Sequence, residues 1–484
     1  MHTRKAIIPH YLFAFFLLLF IACKIAVLGL PYFWDEAGVY APAALYLHDH
    51  GLGLDPASLP PVLSRGHPLL FVNVLALFYH LFGDSTLTAH IFSLLISCGF
   101  FTSVYLIVKR HADATAGLFA AVYCMAQPLL FAQSVLALPE MLLAWMMLLS
   151  LHYWSTGRVW LFALFASLAL FTKETAVILP VVVFLDMLIA RWSKAQTYSW
   201  SKVYPILLPY VIFGLFLLLQ KQQNGWYFFP YHADAISFKS DRLLLFLRQY
   251  FSFVVNGQGR IWSTMVMTIL LVVYYRKNKK VRYARFSSVL ILLCIGGLLF
   301  SSLNFYMNRY MVFVMAAYGI LLSVILYMSD IHAYLRYAAF VLVLLAGAYH
   351  MRPSVPEQTG NLELSFTYDE NMRYTDYLDA EQKAVDMLME NIGPTDSVFA
   401  NFPAVFALRD TRIGFTDKEK DKDFILQSKA QTQTGFTYAL IGDPGAFDHH
   451  IPPACIRQVW SYSSSNAHFI LYKGLCSDGT EVPE

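Results

Sequence analysis

Residues 32–40 read YFWDEAGVY and set two adjacent carboxylates, Asp35 and Glu36, just after a long apolar run. Four other short stretches carry charge in apolar surroundings. LSRGHPLL holds Arg65 and His67, SVLALPEMLLAW holds Glu140, LFTKETAVILP holds Lys173 and Glu174, and NFYMNRYM holds Asn304, Asn308 and Arg309. Each has a bland reading on its own: an interfacial acid, a snorkelling cation, a helix-start acid suited to the dipole or a solvated turn. The aromatic residues before Asp35 fit a membrane-interface belt equally well. Gathered at one place, these groups suit a definite chemistry. A carboxylate beside a hydroxyl or amine can take its proton as general base. Two or three cations can hold a phosphate leaving group and offset its growing charge. A lipid-linked phosphosugar carries its phosphate at headgroup depth, where helix ends can meet it.

Whether the groups gather depends on the elements that carry them. The chain has 484 residues, 57% hydrophobic and 14% charged. A soluble globular chain has roughly a quarter charged residues, so this composition predicts a polytopic α-helical membrane protein. A formal net charge of +3 gives no reason to expect a nucleic-acid partner. A spanning helix needs about 20 apolar residues. The apolar runs predict about eleven spans, near 7–30, 86–108, 113–133, 140–155, 159–173, 175–190, 203–220, 258–275, 286–303, 309–328 and 336–350. The first has no small-residue cleavage site and reads as a retained helix. Residues 68–82 and 238–256 read as interfacial helices.

Basic clusters fall on alternate loops: Arg4/Lys5, Lys109/Arg110, Arg158, Arg191/Lys194/Lys202, RKNKKVRYAR (276–285) and Arg336. By the positive-inside rule these loops are cytoplasmic. The N-terminus is then inside, and the loops bearing Asp35, Glu36, Arg65, His67, Glu140, Lys173, Glu174, Asn308 and Arg309 share the outer face. Residues 1–350 read as a membrane domain and residues 351–484 as a small extracytoplasmic α/β domain. In that second part YLDAEQKAVDMLMEN reads as an amphipathic helix, and DSVFANF, FTYALIG, IRQVWSYSS and HFILYKG read as strands. Cys23, Cys98, Cys124 and Cys294 lie in helices and read as apolar fillers. Cys455 and Cys476 share the exported part and read as a disulfide.

Five motifs occur in order: the acidic pair after the first span, RGHPLLF, the acid opening the fourth span, FTKE at the next outer turn, and NRY opening a late span. In this order they resemble the GT-C glycosyltransferases, and more narrowly the branch of the protein O-mannosyltransferases and the bacterial aminoarabinose transferase of lipid A. The resemblance covers residues 1–350 and is best over the first 190. It implies an inverting transferase of the cytoplasmic (inner) membrane that uses a polyprenyl-phosphate sugar on the outer face. The acceptor is a lipid, glycan or protein. It further implies Asp35 as the catalytic acid, Glu36 as its partner and Glu140 as a second acid near the acceptor. Lys173 would meet the donor phosphate with Arg309, and Arg65 and His67 would assist. Tyr40, Glu174 and Asn308 are candidates for substrate contact. No cofactor is implied, and a divalent cation is left open. The aminoarabinose branch has a basic residue shortly after the acidic pair, where this chain reads AGVY, and Glu-Lys-Pro where this chain has Gly66-His67-Pro68. The donor sugar is therefore not implied. A transporter or flippase of a lipid-linked sugar would share the helices and basic loops, but such proteins bind near the midplane between related halves, and no internal repeat is visible.

The orientation is open to direct test. A reporter fused after residue 360 should be active only outside the cytoplasm, and one fused within 276–285 only inside. Activity of both on the same side would contradict the topology.

Overall fold

The computed structural model describes residues 2–193, 203–236, 240–278, 284–303, 307–329, 331–351, 368–401, 404–416, 425–427, 436–442, 456–464 and 467–475. Cys455, Cys476, Asn304, Lys194, Lys202 and residues 279–283 of the basic loop lie outside them.

All eleven apolar runs fold as helices. Seven helical stretches are long and apolar enough to cross a membrane: Ile8–Val27, Thr86–His111, Glu174–Trp192, Val203–Asn224, Arg285–Leu303, Asn308–Met328 and Ala333–His350. The protein is thus a multi-pass membrane protein, with fewer full-length spans among the described residues than the eleven expected. The difference has visible causes. The run at 113–133 is split at Gln127–Pro128 into Ala114–Met125 and Pro128–Gln133. Glu140–Ser155 and Val159–Thr172 are 16 and 14 residues long, or roughly 24 and 21 Å at 1.5 Å per residue. Arg260–Asn278 opens on a buried arginine.

Two of these, Ala114–Met125 and Glu140–Ser155, lie inside the bundle, whereas Val159–Thr172 exposes Trp160 and Leu164. Ala116, Gly117, Ala120 and Ala121 are all buried on one short helix. A side chain at Gly117 would meet the Tyr105 carbonyl at 2.6 Å, so glycine is what lets this helix lie against Thr86–His111. Asp113 caps it by accepting from the Ala116 N–H at 2.7 Å. Cys98, Cys124 and Cys294 are free and at least partly buried, whereas Cys23 is exposed on the first helix.

The first long loop bridges the helix ends on its side of the bundle. It runs through a five-residue π-turn, Glu36–Tyr40, into helices Ala41–His50 and Leu70–Phe82. Trp34, just before Asp35, has φ +48°. A bulky residue in the left-handed region is strained, so packing must hold this bend in place.

The C-terminal part is a helix, Arg373–Asn391, on a five-stranded mixed sheet. The strands are β1 (Ser397–Ala400), β2 (Ile425–Gln427), β3 (Tyr438–Gly442), β4 (Ile456–Ser463) and β5 (His468–Gly474), in the order β2-β1-β3-β5-β4. β1 runs parallel to β2 and β3, and β5 is antiparallel to β3 and β4. Every residue of β3 is buried, as a strand covered on both faces should be. Four of the strands are those expected; β2, three residues long, was not.

This tail packs directly on the first loop. The Tyr32 N–H donates to the Ile413 carbonyl at 3.0 Å. Phe33 meets the rings of Tyr374 and Tyr377, each at 5.7 Å between centroids. Arg412 reaches Asp49 at 3.0 Å and Asp84 at 3.4 Å. One continuous apolar core runs from the membrane helices through Phe33 into the tail.

Candidate active site

The centre of the site is Arg309, which opens the helical stretch Asn308–Met328 and is buried. Its three nitrogens face three carboxylates. Nη2 donates to Asp35, Nη1 donates to Asp369 at 3.1 Å, and Nε lies 3.7 Å from Glu140. Lys173 joins from the turn after helix Val159–Thr172, with Nζ 2.6 Å from Glu140 Oε1 and 3.8 Å over the Tyr310 ring. Four charged residues that the sequence set on distant segments, Asp35, Glu140, Lys173 and Arg309, thus meet within one ion network; its fifth member, Asp369, comes from the tail.

Asp35 is the open member of the network. Its side chain is 22% exposed, whereas that of Glu140 is 3% exposed. Burial works against the Asp35 charge, but Arg309 outweighs it, with help from Arg65 and Lys173, and holds the carboxyl below its usual range. Burial pushes Asp369 the other way, above the usual range; Arg309 opposes this, and Glu140 and Asp35 add to it. Three polar atoms of the network, Glu140 Oε2, Arg309 Nε and Asp369 Oδ1, are buried without a hydrogen-bond partner. Buried polar groups are ordinarily satisfied, so the network has capacity left for a ligand.

Glu36 faces elsewhere. It is fully buried, accepts from the backbone N–H of Phe33 at 2.9 Å and from that of Ala137, and lies 3.2 Å from His90 Nε2. These contacts tie the bend at residues 33–36 to the N-terminal end of helix Thr86–His111 and to the segment before Glu140. The π-turn sends the two adjacent acids in different directions, Asp35 to Arg309 and Glu36 into the packing.

The remaining candidates form a flank. His67 Nδ1 lies 3.2 Å from the Glu174 carboxylate. Its ring stacks on buried Tyr40 at 6.1 Å and meets the His232 ring at 4.8 Å. Burial and the nearby His67 push the His232 imidazole down to about 4. Arg65 is half-buried and donates to the Gly38 carbonyl at 3.5 Å, without an ion pair to the central network. Asn308 is buried beside Arg309, and its amide donates to Glu370.

Asp369 and Glu370 are the site residues that the sequence did not single out. They stand in TYDENMRY, just before the tail helix, where acids are ordinary. Among the described residues no group of three or more His, Cys, Asp or Glu side chains is placed to hold a metal ion.

Residues 66–220 match the family model of the dolichyl-phosphate-mannose-protein mannosyltransferases. The matched segment includes His67, Glu140, Lys173 and Glu174 but not Asp35 or Arg309. ArnT from Cupriavidus metallidurans bound to undecaprenyl phosphate superposes with a TM-score of 0.57 at 15% identity, over 94% of this chain and 97% of that one. The apo state of ArnT gives 0.58 at 13% identity, with the same coverage. The Archaeoglobus fulgidus oligosaccharyltransferase in complex with Zn and sulfate gives 0.52 at 10% identity, over 89% of this chain and 67% of that one. None of the curated proteins compared matches the chain by sequence. At such identities the solved structures establish the fold. That fold is the one shared by ArnT and the archaeal oligosaccharyltransferase, the fold that the order of the charged motifs had suggested.

The geometry gives Glu36 a testable part. In Glu36→Gln an amide N–H₂ must face one of the donors that the carboxylate now accepts. An unsatisfied buried group costs about 1–3 kcal/mol, so the purified variant should unfold with stability lower by about that amount. A variant that melts like wild type yet loses turnover would contradict the packing role and return Glu36 to the chemistry.

Proposed function

We propose that this protein is an inverting glycosyltransferase of the cytoplasmic membrane. It moves a sugar from a polyprenyl-phosphate donor to a lipid, glycan or protein acceptor at the outer face. The observation that carries this reading is the pairing of two buried cations, Lys173 and Arg309, with a more open carboxylate, Asp35, at the outer helix ends. The match to the mannosyltransferase family model and the fold shared with an undecaprenyl-phosphate-bound ArnT support it.

In this reading the donor phosphate enters beside Lys173 and Arg309, while its polyprenyl tail stays in the bilayer. The acceptor approaches from the Asp35 side. Its oxygen or nitrogen attacks the anomeric carbon as Asp35 takes its proton. The bond from that carbon to the phosphate oxygen breaks, and its electron pair leaves on the polyprenyl phosphate. The two cations offset the charge that grows there. Glu140 holds Lys173 in place and presents its free Oε2. Attack opposite the leaving phosphate inverts the anomeric configuration. His67, Glu174 and Tyr40 lie beside the entry and bound the space for the sugar or acceptor. Transport of a lipid-linked sugar is the rival reading. It needs no general base, and that separates the two.

Asp35→Asn keeps the size and removes the basicity. Loss of general-base catalysis costs about 10²–10⁴-fold, so kcat on a polyprenyl-phosphate sugar should fall by that order in a folded variant. Lys173→Ala should raise the donor KM as well as slow turnover. Near wild-type turnover by folded Asp35→Asn protein would remove this acid from the mechanism.

A further inference from the structure

Charge in the network does not balance. Among the described residues Asp35, Glu140 and Asp369 form their ion pairs with Lys173 and Arg309, while Arg65 acts on Asp35 from beyond ion-pair distance. A phosphate cannot join three carboxylates around two buried cations unless one of the carboxylates gives way. Resting on the polyprenyl-phosphate reading above, we propose that Asp369 is a positioning residue from the C-terminal part, holding Arg309 in the empty site and yielding it to the donor phosphate.

Asp369 is placed to do this and Asp35 is not. Nη1 of Arg309 is given to Asp369 and Nη2 to Asp35, so the guanidinium is fixed at two points and its plane is set. Releasing Nη1 frees the edge of Arg309 while Nη2 stays on Asp35 and keeps it oriented. Asp369 is almost fully buried and has a second oxygen, Oδ1, without a partner. Its carboxyl sits above the usual range whereas Asp35 sits below, so Asp369 gives up its charge more readily.

The backbone around Asp369 is held independently of its side chain. Gln133 donates to the Asp369 carbonyl at 2.9 Å, and Gln258 to the Glu370 carbonyl at 2.8 Å. Asn308 holds the Glu370 carboxylate, and Lys24 lies 3.8 Å from Met372 Sδ. Gln258 does so from a left-handed conformation, φ +52°, a strain that the surrounding structure must sustain. Four residues from four segments of the membrane part thus clamp residues 369–372. The side chain of Asp369 can turn without the segment moving.

The test is equilibrium binding of polyprenyl phosphate to the purified full chain, alongside steady-state kinetics with the donor. Asp369→Asn removes a competing anion at nearly constant volume. Polyprenyl phosphate should bind about tenfold tighter, the order expected for one charge-assisted hydrogen bond. Product inhibition should strengthen, and kcat should fall while kcat/KM does not. Asp369→Ser removes the same charge with a smaller side chain and should shift binding in the same direction, while Asp369→Glu should stay nearer wild type. A purely structural residue would give weaker or unchanged binding, and either result overturns the proposal. Wild-type protein that binds no polyprenyl phosphate would overturn the donor reading and this proposal together. Wild-type binding that neither charge-removing variant tightens would overturn this proposal alone.

Discussion

A guanidinium buried where the ends of several helices meet is the constraint on which the rest of this structure depends. Taking a charge out of water costs several kcal/mol even after relaxation, and only close partners offset it. Arg309 has three, and each comes from a different segment: Asp35 from the first loop, Glu140 from the start of the fourth predicted span, and Asp369 from the tail. Lys173, from a fifth segment, neutralises part of the excess. The fold must therefore bring five distant pieces of chain together before this charge is tolerable.

Much of the surrounding structure serves that convergence. The strained bend at Trp34 and the π-turn after it aim Asp35 at Arg309. Glu36 fixes the bend by satisfying two backbone N–H groups and meeting His90. Gly38 lies so close to Phe406 of the tail that any side chain there would collide with the ring. The tail is consequently part of the site's wall and also supplies one of its acids.

Four central residues, Asp35, Glu140, Lys173 and Arg309, were legible in the sequence for a physical reason. A charge in an apolar run is expensive, so it stands out and calls for a function. Asp369 and Glu370 were not legible because the same side chains in a polar tail cost nothing and look like any helix-entry acids. The direction of Glu36 was hidden too: adjacent acids at a helix mouth look equivalent until the backbone turns them apart. The helices themselves could be read from apolar runs. Their lengths could not, because the break at Gln127–Pro128 and the inward packing of Ala114–Met125 and Glu140–Ser155 depend on neighbours distant in sequence. The sheet was read except for β2, whose three residues are too few to show a period.

The account stands or falls on where the donor phosphate sits and what Arg309 does when it arrives. A structure of the purified protein with bound polyprenyl phosphate, at a resolution that shows side chains, measures both at once. The account predicts the phosphate within hydrogen-bond distance of Lys173 and Arg309, with Arg309 still on Asp35 and no longer on Asp369. A phosphate bound elsewhere, or an Arg309 that keeps all three carboxylates while the lipid is bound, would contradict it.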